Sequence, residues 1–212
     1  MDRAGPIGRK ASREFRREQL IEATIATVAR RGLSQTTLSE VAKTAGVSHG
    51  LVNFHFRTKD GLLAETLAYM SDQHRMNWEA GLAQAGPLPE QQLNALILAE
   101  FNPAYTTERV TAWCAFWGES QNRPLYLEQC AENDRKQIWT FEQVCERLVK
   151  ERGYDIDHQL AARVLRVTIE GVWLELMFSA LTYSREEAMR TAFFCAAALF
   201  HRHFTIDGLI SR

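Results

Sequence analysis

TLSEVAKTAGVSHGLVNFHFRTKDGLL, residues Thr37 to Leu63, spells two short helices about a tight turn and the opening of a third. Thr37 and Glu40 stand in the spacing of a capping box, so a helix starts there. Leu38, Val41, Ala42 and Ala45 give that helix one apolar face. Gly46 follows at once, and glycine is the residue best able to take the left-handed conformation that ends a helix. Ser48 can cap a second helix through its hydroxyl, spanning about His49 to His55. Thr58 can cap a third, beginning near Lys59. Helix, glycine turn, second helix is the helix-turn-helix plan, whose second helix enters a DNA major groove. Two capped helices about a glycine also occur in helical domains with no DNA partner, so geometry alone leaves both readings open.

The residue types go further. AGVSHGLVNFHFRTKDGLL resembles the AGVSxGxxYxxFxxKxxLL signature of the TetR family of transcriptional repressors, through Ala45, Gly46, Val47, Ser48, Gly50, Phe56, Lys59, Leu62 and Leu63. The family's tyrosine, which contacts a phosphate, is replaced here by Phe54, which has no hydroxyl; His55 beside it could substitute. The resemblance implies a dimer bound to a palindromic operator, with Thr37, Ser48, His49, Gly50, Leu51, Val52, Asn53, Phe54, His55 and Lys59 at the DNA. His49 and Asn53 lie one helical turn apart, and Asn53 suits adenine. Lys59, at a helix N-terminus, is expected at a phosphate.

Charge supports a polyanion docking at one end. Of the chain's 25 Lys+Arg and 26 Asp+Glu, residues 1–60 hold 11 and 6, a local +5; the remaining 14 and 20 make the rest −6. A basic head on an acidic body is a footprint of nucleic-acid binding. Residues 1–12, with Gly, Pro, Arg3, Arg9 and Lys10, read as a loose arm. A helix is expected from Arg13 to Arg31, stopped by Gly32.

The remainder reads as helix throughout. A long helix from Lys59 to about Leu82 links head to body, and AGPLPE (residues 85–90) breaks it. Helices follow over Gln91–Phe101, Thr107–Ser120, Leu125–Arg152, Asp157–Thr182 and Ser184–Phe204, the last opened by a Ser184–Glu187 capping box. The expected fold is all-α: a three-helix DNA-binding head, residues 1–60, joined by the long helix to a helical effector-binding and dimerisation body, residues 61–212. The last two helices are apolar nearly all round, and TAFFCAAALF needs burial on every side. They are either an ordinary core pair or a subunit interface; in the family resembled they build the dimer's four-helix bundle.

Other chemistry finds little footing. No G-x-S-x-G, phosphate-cradling glycine loop or C-x-x-C pair is present, so no enzyme, cofactor or metal site is expected. His201 and His203 would point apart on a helix and read as surface residues; His74 and His158 read as isolated. Cys114, Cys130, Cys145 and Cys195 read as buried free thiols, which fits a reducing cytoplasm. No apolar run is long enough to span a membrane.

The aromatic residues of the body are the feature with a choice attached. Trp113, Phe116 and Trp117 share one helix face, Tyr105 precedes them, and Trp173 lies on a later helix. Such a stripe can be core, but tryptophan carries an N–H that needs a partner, and several aromatic faces together suit a quaternary ammonium. TAWCAFWGESQNRP also resembles a subgroup of the family, the BetI-type choline-responsive repressors of glycine betaine synthesis genes, through Ala112, Trp113, Ala115, Phe116, Trp117 and Pro124. The subgroup's GLW element is approximated by Gly171, Val172 and Trp173. That resemblance implies choline as effector; read from the residues themselves, Tyr105, Trp113, Phe116, Trp117 and Trp173 could supply its aromatic walls, with Glu170 or Glu119 as countercharge. The alternatives are a TetR-like regulator answering a lipophilic or other small molecule, a DNA-binding protein with no effector, and a helical enzyme or adaptor with a fortuitous helix-turn-helix.

Overall fold

The computed structural model describes residues 6–120, 124–178 and 183–210. Nine helices account for nearly all of them: α1 Pro6–Gln35, α2 Leu38–Ala45, α3 His49–His55, α4 Lys59–Gln84, α5 Pro89–Glu100, α6 Thr107–Ser120, α7 Pro124–Arg152, α8 His158–Phe178 and α9 Arg185–Leu199. One hairpin of two short strands follows, β1 Phe204–Thr205 and β2 Gly208–Leu209, antiparallel with Phe204 opposite Leu209. The all-α expectation holds. The last helix is shorter than its apolar run promised, ending at Leu199 with a turn before the hairpin. At the other end α1 starts at Pro6 rather than Arg13. Proline suits a first helical turn, where its missing N–H would have no partner anyway. Arg3 and Thr182 lie outside the described residues.

Packing divides the chain into two compact units, Met1–Ser71 with Thr106–Cys130, and Asp72–Tyr105 with Ala131–Arg212. This cut is not the linear one at residue 60: α6 belongs with the N-terminal helices, and α4 and α7 each contribute to both units.

The first unit is built on the helical period of α1. Leu20, Ile21, Ile25 and Val28 are buried together with Val41, Val52, Phe56, Leu62, Leu63 and Leu67, and Ala112 and Phe116 of α6 join them. Each of the larger side chains contributes about 1.5–3 kcal/mol through removal from water. The helical path of α1 breaks at Gly32 (φ 75°), after which one further turn reaches Gln35. Thr24, Thr27 and Thr66 are buried without loss because each hydroxyl donates to the carbonyl four residues back, at 2.7–2.8 Å.

In the second unit Leu93, Leu96 and Ile97 of α5, Phe141 and Leu148 of α7, Leu165 and Ile169 of α8, and Ala192, Phe193 and Ala196 of α9 form the core. Asp157 caps α8, its Oδ1 accepting from Leu160 N–H at 2.9 Å. Ser184 and Glu187 form the full reciprocal box at α9, at 3.1 and 2.7 Å. His203, read from sequence as a surface residue, is buried, with its Nδ1 2.7 Å from the Tyr154 hydroxyl. The turn after α9 removes the helical geometry on which that reading rested. All four cysteines are free; Cys130 and Cys145 are buried, Cys114 and Cys195 only half-buried.

Candidate functional site

The turn between α2 and α3 is fixed by backbone chemistry. Gly46 sits at φ 67°, ψ 34°, its N–H donating to Lys43 O, while Val47 N–H reaches Ala42 O at 3.0 Å. That pair of bonds closes the C-terminus of α2 and turns the chain into α3. Thr37 Oγ1 accepts from Glu40 N–H at 3.2 Å, but the box predicted there is only half made. Glu40 instead pairs with Lys43 (2.8 Å) and Arg31 (3.0 Å). The Lys43 hydrogen bond foremost holds its carboxyl below the ordinary carboxylate value. Ser48 Oγ accepts from Leu51 N–H at 3.3 Å and starts α3.

α3 presents His49, Gly50, Asn53 and Phe54 to solvent, with Leu51 half-buried. Val52 is different. It is fully enclosed by the head core and is not available to DNA, because a seven-residue helix must turn one side inward to be held. His49 Nδ1 lies 3.2 Å from Ser39 Oγ, an α2-to-α3 contact that orients the imidazole. Counted along the signature, its tyrosine falls on Asn53 rather than on Phe54, and Asn53 is exposed. Phe54 is 68% exposed, with the Arg13 guanidinium 5.7 Å from its ring centre. His55 is half-buried and its Nδ1 is enclosed without a hydrogen-bond partner. Burial first, then the positive charges of Arg13, Arg17 and Arg16, push its imidazole below the ordinary histidine value. Lys59 Nζ donates to the carbonyls of Leu33 (2.6 Å) and Ser34 (3.1 Å), so it ties α4 to the end of α1. An ammonium has three donors, which leaves one for a phosphate.

The structure distributes the aromatic residues between the two units. In the first, the rings of Trp113 and Trp117 are 6.2 Å apart, both half-buried, and Phe116 is enclosed in the core. In the second, Trp173 stacks on Phe101 at 5.7 Å and meets the edge of Tyr105 at 6.2 Å. The Arg185 guanidinium lies 5.5 Å from the Trp173 ring centre, anchored by donation to the carbonyls of Phe101, Asn102 and Tyr105. Glu170 is exposed, with Arg166 at 3.8 Å. The Glu119 side chain lies outside the described residues.

Sequence reasoning missed the polar groups that adjoin Tyr105. His74, read as isolated, has its Nδ1 3.2 Å from the Tyr105 hydroxyl and its Nε2 3.5 Å from Glu100 Oε1. Gln137 donates to Glu100 at 2.7 Å. Glu100 is buried, and that burial above all raises its carboxyl above the ordinary value, Glu170 adding to it. The available signal was an acid at the end of NALILAE, where a helix apolar on its inner side closes on a charge.

On α8, Leu160, Val164, Val167 and Leu174 are exposed at helical spacing, and Gly171 stands in the same line, where an added Cβ would meet nothing within 4 Å. On α9 Phe194 is 63% exposed. Among the described residues no cluster could hold a metal ion, and no helix is long and apolar enough to cross a membrane.

Two family models match. Residues 20–66 match the bacterial regulatory proteins of the tetR family, and residues 89–201 match the C-terminal part of BetI-type transcriptional repressors. The HTH-type transcriptional regulator BetI of Paraburkholderia xenovorans (strain LB400) is 34% identical over 184 residues, 85% of this chain and 91% of that protein. A TetR transcription regulator from Haloarcula marismortui superposes with a TM-score of 0.75 at 22% identity, over 88% of this chain and 98% of that one. A transcriptional regulator from Saccharomonospora viridis, solved with choline, gives 0.74 at 19% identity, over 84% and 94%.

Proposed function

Because the chain belongs to the tetR family of bacterial regulatory proteins and its C-terminal part is of the BetI type, we propose that it is a dimeric repressor released from a palindromic operator by a small quaternary ammonium, choline first. The family is one of transcriptional regulators, not of enzymes. Its members bind DNA and small effectors and form dimers.

The head supports reading by His49 and Asn53, which stand exposed one turn apart on α3, with Lys59 and the exposed backbone around Ser48 and Gly50 at the sugar-phosphate wall. The exposed apolar line of α8 with Phe194 of α9 supports the dimer, since a surface of that kind is stable when covered by its own copy.

The effector reading rests on one observation: Trp173, edged by Tyr105, already receives a cation, the Arg185 guanidinium, on its ring. A quaternary ammonium donates no N–H bond and is held by aromatic faces, each contributing about 0.5–2 kcal/mol. Choline is the ligand of the Saccharomonospora viridis protein, and at that identity the likeness carries only the fold. The choice of choline for this chain rests instead on the BetI-type match, which also points to glycine betaine synthesis genes as the regulated set. Release requires that the effector bind one dimer state better than the other, with about 1–3 kcal/mol of coupling.

A gel shift on an operator drawn from the chain's own upstream DNA, with and without choline, tests the whole reading. Choline should dissolve the shifted band, and Trp173→Ala should keep the band while losing the response. Trp113→Ala reports whether the aromatic pair of the first unit takes part. A band that ignores choline and yields to a lipophilic compound would end the choline assignment and keep the repressor.

A further inference from the structure

Glu100 is the group that the effector reading leaves unused. Its carboxylate is enclosed at the end of α5, where it meets the Gln137 amide at 2.7 Å and the His74 ring at 3.5 Å. Neither is a permanent cation, and a buried carboxylate is ordinarily matched by one. From Glu100 the contacts run on without a gap. His74 reaches the Tyr105 hydroxyl at 3.2 Å, and the Tyr105 ring meets Trp173 at 6.2 Å. Phe101, next to Glu100 in sequence, stacks on the same indole. One acid and the aromatic rings of Tyr105 and Trp173 are thus gathered from α4, α5, α7, α8 and the connection before α6, all within the second unit.

We infer that Glu100 is the anionic member of the effector site and makes it selective for a compact organic monocation over a neutral molecule of the same shape, with Tyr105 and Trp173 as the aromatic walls. This deepens the effector reading above and rests on it. Arg185 shows that the Trp173 ring accepts positive charge, and an arriving ligand would take over that face. Burial first, with Glu170 adding to it, raises the carboxyl above its ordinary value. A cation brought next to it offsets the cost of ionising it, whereas a neutral ligand does not. Selectivity is then a difference of affinities set by the carboxyl rather than by shape.

Calorimetry on the full chain separates the possibilities, with choline and its neutral carbon isostere dimethylbutanol as probes. Wild type should prefer choline by about tenfold or more, and Glu100→Gln should lose most of that preference while binding the alcohol as before. Equal choline affinity in wild type and Glu100→Gln would overturn the role of Glu100 and leave the choline reading standing. Wild type that binds neither probe would overturn both. Should Glu100→Gln fail to fold, Glu100→Asp keeps the charge. It should then still favour choline over the alcohol, and equal binding of the two would overturn the inference.

Discussion

The ammonium of Lys59 donates to the carbonyl of Leu33 at 2.6 Å, joining the first turn of α4 to the last turn of α1 across 26 positions of sequence. The same nitrogen reaches Ser34 O at 3.1 Å. Lys59→Ala should therefore lower head stability by about 1–2 kcal/mol, the scale of a charge-assisted hydrogen bond at a half-buried site. If the third donor also meets phosphate, the log–log salt slope of operator binding should fall by about 0.9. Thermal melts and salt titrations read the two effects apart. A lower melting point with an unchanged slope would make Lys59 a purely structural residue.

In the proposed operator complex Asn53 and His49 divide the reading of the groove. Asn53→Ala should cost about 1–3 kcal/mol at one operator position and little at the others. Ser39→Ala removes the hydroxyl 3.2 Å from His49 Nδ1, so it should blur preference at the position His49 reads, without weakening non-specific binding. Binding to a library of single-base operator variants checks both. A uniform loss across the library would assign the two residues to the backbone instead.

Neighbouring phenylalanines on α9 offer a test of the dimer. Phe194 is 63% exposed and Phe193 is 2% exposed in the core. Phe194→Asp should yield a folded monomer in sedimentation. Phe193→Asp should cost several kcal/mol through an unpaired buried charge and lose the fold. A Phe194→Asp dimer as tight as wild type would move the interface elsewhere. Ala197→Glu, half-buried on the same helix, should behave more like Phe193→Asp than like Phe194→Asp.

Burial, with Glu170 adding to it, raises the Glu100 carboxyl above its ordinary value, so the group binds its proton more tightly in the folded chain than in the unfolded one. Stability from this group is fully present below the unfolded value and falls as pH rises through the folded one. His74 on α4 opposes the raise and Glu170 on α8 adds to it, while the Gln137 amide on α7 also opposes it. Glu100→Gln should flatten the decline of the urea midpoint as pH rises above the ordinary carboxylate value, relative to wild type. Parallel midpoint curves for the two proteins would show that the acid titrates normally.

Local signals read well from sequence, and distant ones did not. Gly46, Ser48 and Thr58 marked helix ends correctly because a cap is decided within four residues, and α3 and α6 begin and end where the residue pattern put them. The half-made box at Glu40 shows the boundary of that logic: Arg31, nine positions earlier, competes for the carboxylate. Val52 looked like a groove contact because spacing on so short a helix does not say which side the core will take. His74 looked isolated because its partners Glu100, Tyr105 and Gln137 are 26 to 63 positions away. The packing of α6 with α1 has the same origin, since no local pattern announces which of several apolar helices will be a neighbour.

The guanidinium of Arg185 beside the Trp173 ring also gives the chain an optical readout. The excited indole is strongly dipolar, and its emission shifts with the charge held next to it. Trp78 sits in the core and Trp139 is 62% exposed, so each contributes a background set by its own surroundings. Of these three, Trp173 has the Arg185 guanidinium against its face. Exchange of that guanidinium for a ligand's charge would thus be visible as a change in fluorescence colour, with no label attached to the protein.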